Sequence, residues 1–403
     1  MQPNLARAVR RRMANYVPGL VSLRTSFNDR FHEASKRCVI EDFREFCAKP
    51  PERRALLSYL VEPLLPPPQF RDRTMFSNRG IAQELPRALN ELGFSVDVID
   101  HRNTAFRPHE AYDLFIGHLP INFERIARAL DPDTSIVYFA TTLEWQESNR
   151  RQERRLAEVK QRRGCSLGSR FCLSHESAKE LAEAVICLGK RTSNSFVGYS
   201  NVLLVENAAF PLNWSGWQTK DYRAARSSFL FFSGAGNVLK GLDLVLEAFA
   251  GTTLEVYVCT ALEPDFARAF KRELTAFPNI HLENWIPARS PRFEELVSTC
   301  DWVIFPSCSE GHPGSVIECM AHGLLPIVSD AANLELPRGG IEIERLDAEA
   351  VRSAALRASQ TDPGEIESAA KCLVDEVRAR YSPERFRAAF KDAIRRVADN
   401  GQN

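Results

Sequence analysis

The chain carries no excess of either charge: its 52 lysines and arginines are matched by 52 aspartates and glutamates, giving a formal net charge of zero. A balanced chain has no global attraction to nucleic acid or to an anionic membrane, and no nucleic-acid recognition module accompanies its basic residues. Any run of about 18 apolar residues is also missing, which excludes a membrane-spanning helix. The ten cysteines include no Cys-x-x-Cys pair, and no Cys/His cluster has zinc spacing, so no metal site is expected. Most of these cysteines, Cys308 among them, sit in apolar stretches, as buried reduced thiols of a cytosolic protein would. Arg7, Arg10, Arg11 and Arg12 make the N-terminus basic, but no apolar core or cleavage site follows, so no secretory signal is expected. There is no internal repeat and no low-complexity tract. No Gly-x-Gly-x-x-Gly follows a first strand in either half, which argues against a nicotinamide-dependent dehydrogenase.

What is present concentrates between residues 301 and 330. Val303 to Phe305 is short, apolar and bounded by turn residues, the pattern of a buried parallel strand. The loop Ser309-Glu310-Gly311-His312 follows, Pro313 and Gly314 open a helix, and Gly323 with Pro326 end it. Backbone N–H groups at the helix start lack intrahelical partners and favour an anion. Glu310 is expected on a surface loop, and Glu318 roughly 5 Å further along the helix axis. A phosphate at the helix mouth and hydroxyls reaching both carboxylates would describe a sugar nucleotide. A second block supports this. Ser228 to Gly234 reads as an aromatic strand ending in glycine, and Leu242, Val245, Leu246 and Phe249 mark an amphipathic helix. Between them, Gly234, Gly236, Lys240 and Gly241 form a glycine loop with one mobile point charge, a natural diphosphate site.

Strand patterns at 55–61, 94–99, 112–117, 135–140, 171–174 and 201–205 alternate with helical runs, including 75–92 and 177–188. A second series has strands from 229, at 253–259, 280–283, 302–305 and 325–328, and ends in an amphipathic helix over 383–397. Alternation of this kind predicts parallel sheets. Residues 1–52 read as a charged, irregular extension, helical in pieces, and 213–227 as a polar linker. The helix bearing Arg150, Arg151, Arg154, Arg155, Lys160, Arg162 and Arg163 has two readings: a solvated face, or a docking patch for an anionic lipid-linked acceptor or membrane surface.

The 301–330 block resembles the Glu-x7-Glu signature of retaining glycosyltransferases of the GT-B fold, in the family 4 group. Glu310 and Glu318 carry the match, with Gly311, Pro313 and the helix end Ala321-His322-Gly323. The glycine loop is similar to that family's first donor loop at Gly234, Lys240 and Gly241, but the arginine position holds Ala235. Arg150 or Arg151 is one source for the missing cation. The resemblance implies an α/β fold of two Rossmann-like domains facing a cleft, with the C-terminal helix crossing back to the first. It divides the chain into an extension (1–52), an acceptor domain (53–212), a donor domain (213–380) and the crossing helix with its tail (381–403). It implies a UDP-, GDP- or similar nucleotide-sugar donor, a glycan or lipid-linked acceptor, and no cofactor. Donor contacts are expected at Gly234, Gly236, Gly241, Gly311, His312, Pro313, Gly314, Ser315, Val316 and Glu318. His312 is expected to act through its backbone. Lys240 would face the diphosphate, Glu310 the transferred sugar, Glu318 the ribose, and His118 the transferred sugar from the first domain. The expected setting is the cytoplasm, including the cytoplasmic face of a membrane. Two alternatives stay open: a catalytically silent module that binds a sugar nucleotide or scaffolds a complex, and a sugar-nucleotide hydrolase or epimerase.

Overall fold

A computed structural model describes residues 37–65, 77–211 and 216–400. The apolar runs of the first half become seven strands: β1 Val39–Phe43, β2 Arg53–Tyr59, β3 Phe94–Asp100, β4 Leu114–Gly117, β5 Ser135–Ala140, β6 Ala184–Leu188 and β7 Val202–Val205. They lie in the order β1-β3-β2-β4-β5-β6-β7. The second half supplies β8 Ser228–Phe232, β9 Glu255–Cys259, β10 Ile280–Leu282, β11 Trp302–Phe305, β12 Leu325–Ser329 and β13 Ile341–Ile343, ordered β10-β9-β8-β11-β12-β13. Only β1 pairs antiparallel, against β3; the other described pairings are parallel. Strands β4, β6, β8, β11 and β12 are buried along their whole length, as strands covered by helices on both faces must be.

The α/β architecture of two Rossmann-like halves is the expected one. In each parallel series, from β2 in the first sheet and from β8 in the second, the chain winds outward, then returns to the other side of its starting strand. The reversal falls between β2 and β4 in the first sheet and between β8 and β11 in the second. Loops leaving the carboxyl ends of such neighbours diverge, and the crevice between them is where ligands bind in open α/β sheets.

The Pro383–Asn400 helix crosses back as expected. Phe386, Phe390, Ala393, Ile394 and Val397 join the core beneath β2 and β3, and Arg387 and Lys391 pair with Glu91 at 3.1 and 2.6 Å.

Several local expectations are overturned. Residues 171–174 form no strand: their backbone runs along the Trp145–Arg163 helix, where Asn149 accepts from Cys172 N–H at 2.7 Å and donates to its carbonyl at 3.0 Å. A side-chain amide there supplies the bonds that a neighbouring strand would. The predicted 177–188 helix stops at Leu181, and Ala184–Leu188 becomes the fully buried β6, because a short apolar run fits either period. Val39–Phe43 is an edge strand inside the stretch read as an irregular extension. Ile341–Ile343 adds an edge strand that sequence pattern missed. The linker region holds ordered turns over Gly216–Thr219 and Tyr222–Ala225. Residues 1–36, 66–76, 212–215 and 401–403, which include the expected helix start at Met75 and Asn213 of the expected linker, lie outside the described residues.

The basic helix is not a wholly solvated face. Arg155 and Arg162 both donate to the buried Asp243 Oδ2, at 2.7 and 2.8 Å. Arg163 pairs with Glu247 at 2.8 Å and Glu273 at 2.9 Å, and Val159 lies in the second core. Arg150 and Arg151 are taken by Glu147 on their own helix. The helix therefore bolts the two halves together.

Phe390, fully buried between the crossing helix and the first sheet, sets the strength of that closure. Phe390→Ala is expected to destabilise the protein by about 3–5 kcal/mol, read as a lowered urea midpoint; an unchanged midpoint would mean that the helix is dispensable.

Candidate functional site

The chain leaves β8 at Phe232 and turns through 233–241 into the Leu242–Phe249 helix. Gly241 ends this turn at φ 77°, and a Cβ there would lie 2.1 Å from the Pro306 carbonyl oxygen. Only glycine combines that backbone conformation with so close an approach. The contact joins the two diverging loops and brings Lys240 Nζ to Glu310 Oε1 at 2.5 Å. Ser307 Oγ donates to the same oxygen at 3.2 Å. The Phe305 ring lies 5.3 Å from the ammonium, within cation–π range. The Lys240 and Glu310 side chains keep only 16 % and 14 % of their exposure, so Glu310 is shielded rather than on an open surface loop.

Gly311 meets the first domain. A Cβ would stand 1.9 Å from the carbonyl oxygen of Thr141, the residue after β5. Thr192 Oγ1 donates to the Gly311 carbonyl at 3.1 Å. His312 is a tie on both counts: its Nδ1 accepts from Asn207 N–H at 3.0 Å, and its carbonyl accepts from Asn207 Nδ2 at 2.9 Å. Burial lowers the His312 pKa to about 3, so the ring is neutral. Its ring is thus committed to Asn207 and, edge-on, to Tyr381.

Pro313 precedes the Gly314–Ala321 helix. Val316 and Ile317 N–H groups turn back to the Pro313 carbonyl at 2.9 and 3.0 Å, and the Val316 side chain is buried in the second core. Val316 thus offers a ligand neither its N–H nor its side chain. Gly314 and Ser315 are left as the N–H groups of the helix tip. Glu318 does not reach toward Glu310. It is 1 % exposed, and its Oε2 accepts from Phe210 N–H at 2.8 Å. Its Oε1 has no partner among the described residues. Burial raises the Glu318 pKa to about 7, opposed by the Phe210 N–H bond.

In the glycine loop, the Gly234 carbonyl accepts from Ser233 and Thr260 hydroxyls at 3.0 and 2.8 Å. The Gly236 and Asn237 N–H groups both donate to Glu263, at 2.9 and 3.1 Å. These amides face an internal carboxylate, so the loop's positive contribution rests on Lys240.

His118 follows β4, at the reversal point of the first sheet. Its Nδ1 lies 2.9 Å from the Phe139 carbonyl oxygen, an acceptor, so Nδ1 carries the hydrogen and Nε2 the lone pair. Burial, then the nearby His101, lowers its pKa to about 3. The imidazole is therefore neutral, and the described residues give it no contact with Lys240 or Glu310. Thr192, Asn207 and Glu263 escape sequence reasoning because none lies in a recognisable local pattern; they matter through partners far away in the chain.

Residues 226–361 match the family described as Glycosyl transferases group 1. Among solved structures, a sucrose-phosphate synthase from Thermosynechococcus elongatus aligns with a TM-score of 0.60 at 15% identity, covering 86% of this chain and 99% of that one. A UDP-forming trehalose-phosphate synthase from Burkholderia xenovorans aligns with a TM-score of 0.58 at 13% identity, over 86% and 99% of the two chains. Anabaena Alr3699/HepE, solved with UDP and glucose, aligns with a TM-score of 0.51 at 14% identity, over 70% and 77%. No curated protein matches in sequence. At these identities the likeness shows the fold, which is GT-B. The family match and the fold together support a glycosyltransferase.

The buried Glu318 makes stability depend on pH. In the native state it keeps a proton that the unfolded chain gives up above its ordinary pKa of 4.5. The stability this confers is complete below that value and is lost as pH rises through about 7. Asp301, raised to about 7 by burial against the pull of Lys220, acts in the same direction. Glu318→Gln should therefore gain melting temperature relative to wild type between pH 5 and pH 8; an equal gap at both pH values would overturn the assignment.

Proposed function

We propose that this chain is a retaining glycosyltransferase of the family 4 type, moving a sugar from a nucleotide-sugar donor to a hydroxyl of a glycan or glycolipid acceptor. The observation that carries the proposal is the Lys240–Glu310 pair, held at the reversal point of the second sheet beside the tip of the Gly314–Ala321 helix. Residues 213–380 would then bind the donor and 53–212 the acceptor.

In a retaining transfer without a covalent intermediate, the leaving diphosphate takes the acceptor's proton on the same face, so no separate base is needed. The protein must stabilise charge growing on that diphosphate while the sugar becomes cation-like. Lys240 and the N–H groups of Gly314 and Ser315 serve the phosphates. Glu310 accepts from hydroxyls of the transferred sugar and keeps Lys240 in place through their shared bond. Glu318, whose Oε1 carries the carboxyl proton because Oε2 accepts from Phe210, donates to a ribose hydroxyl. His118, neutral with its lone pair on Nε2, accepts a sugar hydroxyl and is not an acid. The exposed Arg154 leaves a cationic edge for an anionic lipid-linked acceptor at the cytoplasmic face of a membrane.

A catalytically silent module is the second reading, favoured by Ala235 and by the Glu263 carboxylate that fills the loop amides. Incubation with UDP-, GDP- and ADP-sugars, with and without acceptor glycans, separates the readings. Acceptor-dependent release of nucleoside diphosphate supports transfer, release without acceptor supports a hydrolase, and binding without turnover supports the silent module. Within the transfer reading, Lys240→Ala should lower kcat by about 10²–10³. Glu310→Ala should abolish transfer and lower the melting temperature, because Lys240 loses its partner; full activity in it would remove the proposal.

A further inference from the structure

We propose that Arg170, carried by the first domain, is the second cation of the diphosphate site, and that the amide of Gln152 positions it. This rests on the glycosyl-transfer reading above. Each phosphate of a nucleotide-sugar donor brings a negative charge, yet the glycine loop carries a single cation, and it is shared with a carboxylate. Lys240 is bonded to Glu310 at 2.5 Å, and the Gly236 and Asn237 amides are taken by Glu263. The residue beside them, Ala235, is apolar. A dianionic ligand therefore needs a cation from outside the loop.

Arg170 stands over that loop. Its Nη1 donates to the Ala235 carbonyl at 2.7 Å, and its Cδ would lie 3.0 Å from a Cβ on Gly236, whose φ is 98°. Gly236 thus leaves room for the arginine stem. The carbonyl of Ala235 and the N–H of Gly236 belong to one trans peptide and point to opposite sides. Arg170 and Glu263 consequently hold opposite edges of that peptide. No carboxylate among the described residues forms an ion pair with Arg170, whose side chain is exposed at its loop contact. The remaining N–H groups of the guanidinium keep the planar fork that suits a phosphate.

The position of Arg170 is fixed from behind. Gln152, 3 % exposed, accepts from Arg170 N–H at 3.2 Å and donates to its carbonyl at 3.1 Å. One side-chain amide thereby satisfies both backbone groups of residue 170. The chain just before Arg170 is itself tied to the second half: Leu167 packs on its core and Gly168 N–H donates to Asp265 at 2.6 Å, which keeps Arg170 over the loop.

Calorimetric titration of the full chain with UDP, GDP and ADP and with the matching monophosphates tests this. Arg170→Met keeps the apolar stem against Gly236 and removes the charge. It should weaken nucleoside diphosphate binding about tenfold to a hundredfold and leave monophosphate binding nearly unchanged, with Arg170→Lys recovering part of the loss. Gln152→Ala should lower the same diphosphate-over-monophosphate ratio, a readout that loss of stability alone would not move. Unchanged diphosphate binding in Arg170→Met, or equal losses for both classes of nucleotide, would overturn the assignment while leaving glycosyl transfer standing. A wild-type chain that binds none of the diphosphates would overturn both.

Discussion

The contact on which the site depends is the insertion of the 307–313 loop between the two sheets. Gly311 abuts the Thr141 carbonyl of the first domain, and Asn207 holds both the ring and the carbonyl of His312. One turn further on, Glu318 takes the N–H of Phe210. Asn207 and Phe210 lie on the segment that leaves β7, so the donor loop and the interdomain connection share one set of hydrogen bonds. A side chain at position 311 would push the halves apart and undo the geometry around Glu310. That explains why chemistry, loop and hinge are built from adjacent residues.

The electrostatics follow the same economy. Charges that would be costly to bury alone are buried in company: Asp243 between Arg155 and Arg162, Lys220 near Asp301, Lys240 against Glu310. Removing one partner from such a group leaves the other desolvated and unpaired, which costs far more than the pair contributes net. The arginines of the Trp145–Arg163 helix show the consequence for interpretation. In sequence they form a basic stripe; in space the inner ones are counter-ions for the opposite domain. The two neutral histidines make a related point. His118 and His312 are both deprived of charge by burial, so each works through a fixed hydrogen-bonding pattern rather than by moving a proton.

The sequence carried much of the architecture because its signals are local. Short apolar runs bounded by glycine and proline marked most of the parallel strands, and spacing marked the crossing helix. It failed where locality fails. Ala184–Leu188 fits a helix or a strand equally well, and only its place between β5 and β7 decides. The 171–174 stretch has strand-like residues but meets a helix whose Asn149 satisfies its backbone. Likewise, Val316 sits within the donor motif, yet the helix turns it into the core.

By itself the sequence determined that two glutamates, a lysine and a set of glycines would stand at loops following parallel strands, because turn chemistry and hydrophobic period act over a few residues. Tertiary structure alone decided which atoms those groups meet: Lys240 with Glu310, Glu318 with Phe210, Glu263 with the glycine-loop amides, and Arg170 with Ala235. These partners lie 26 to 108 residues apart in the chain. Their pairing is set by sheet order and by closure of the two halves, which no short-range pattern encodes.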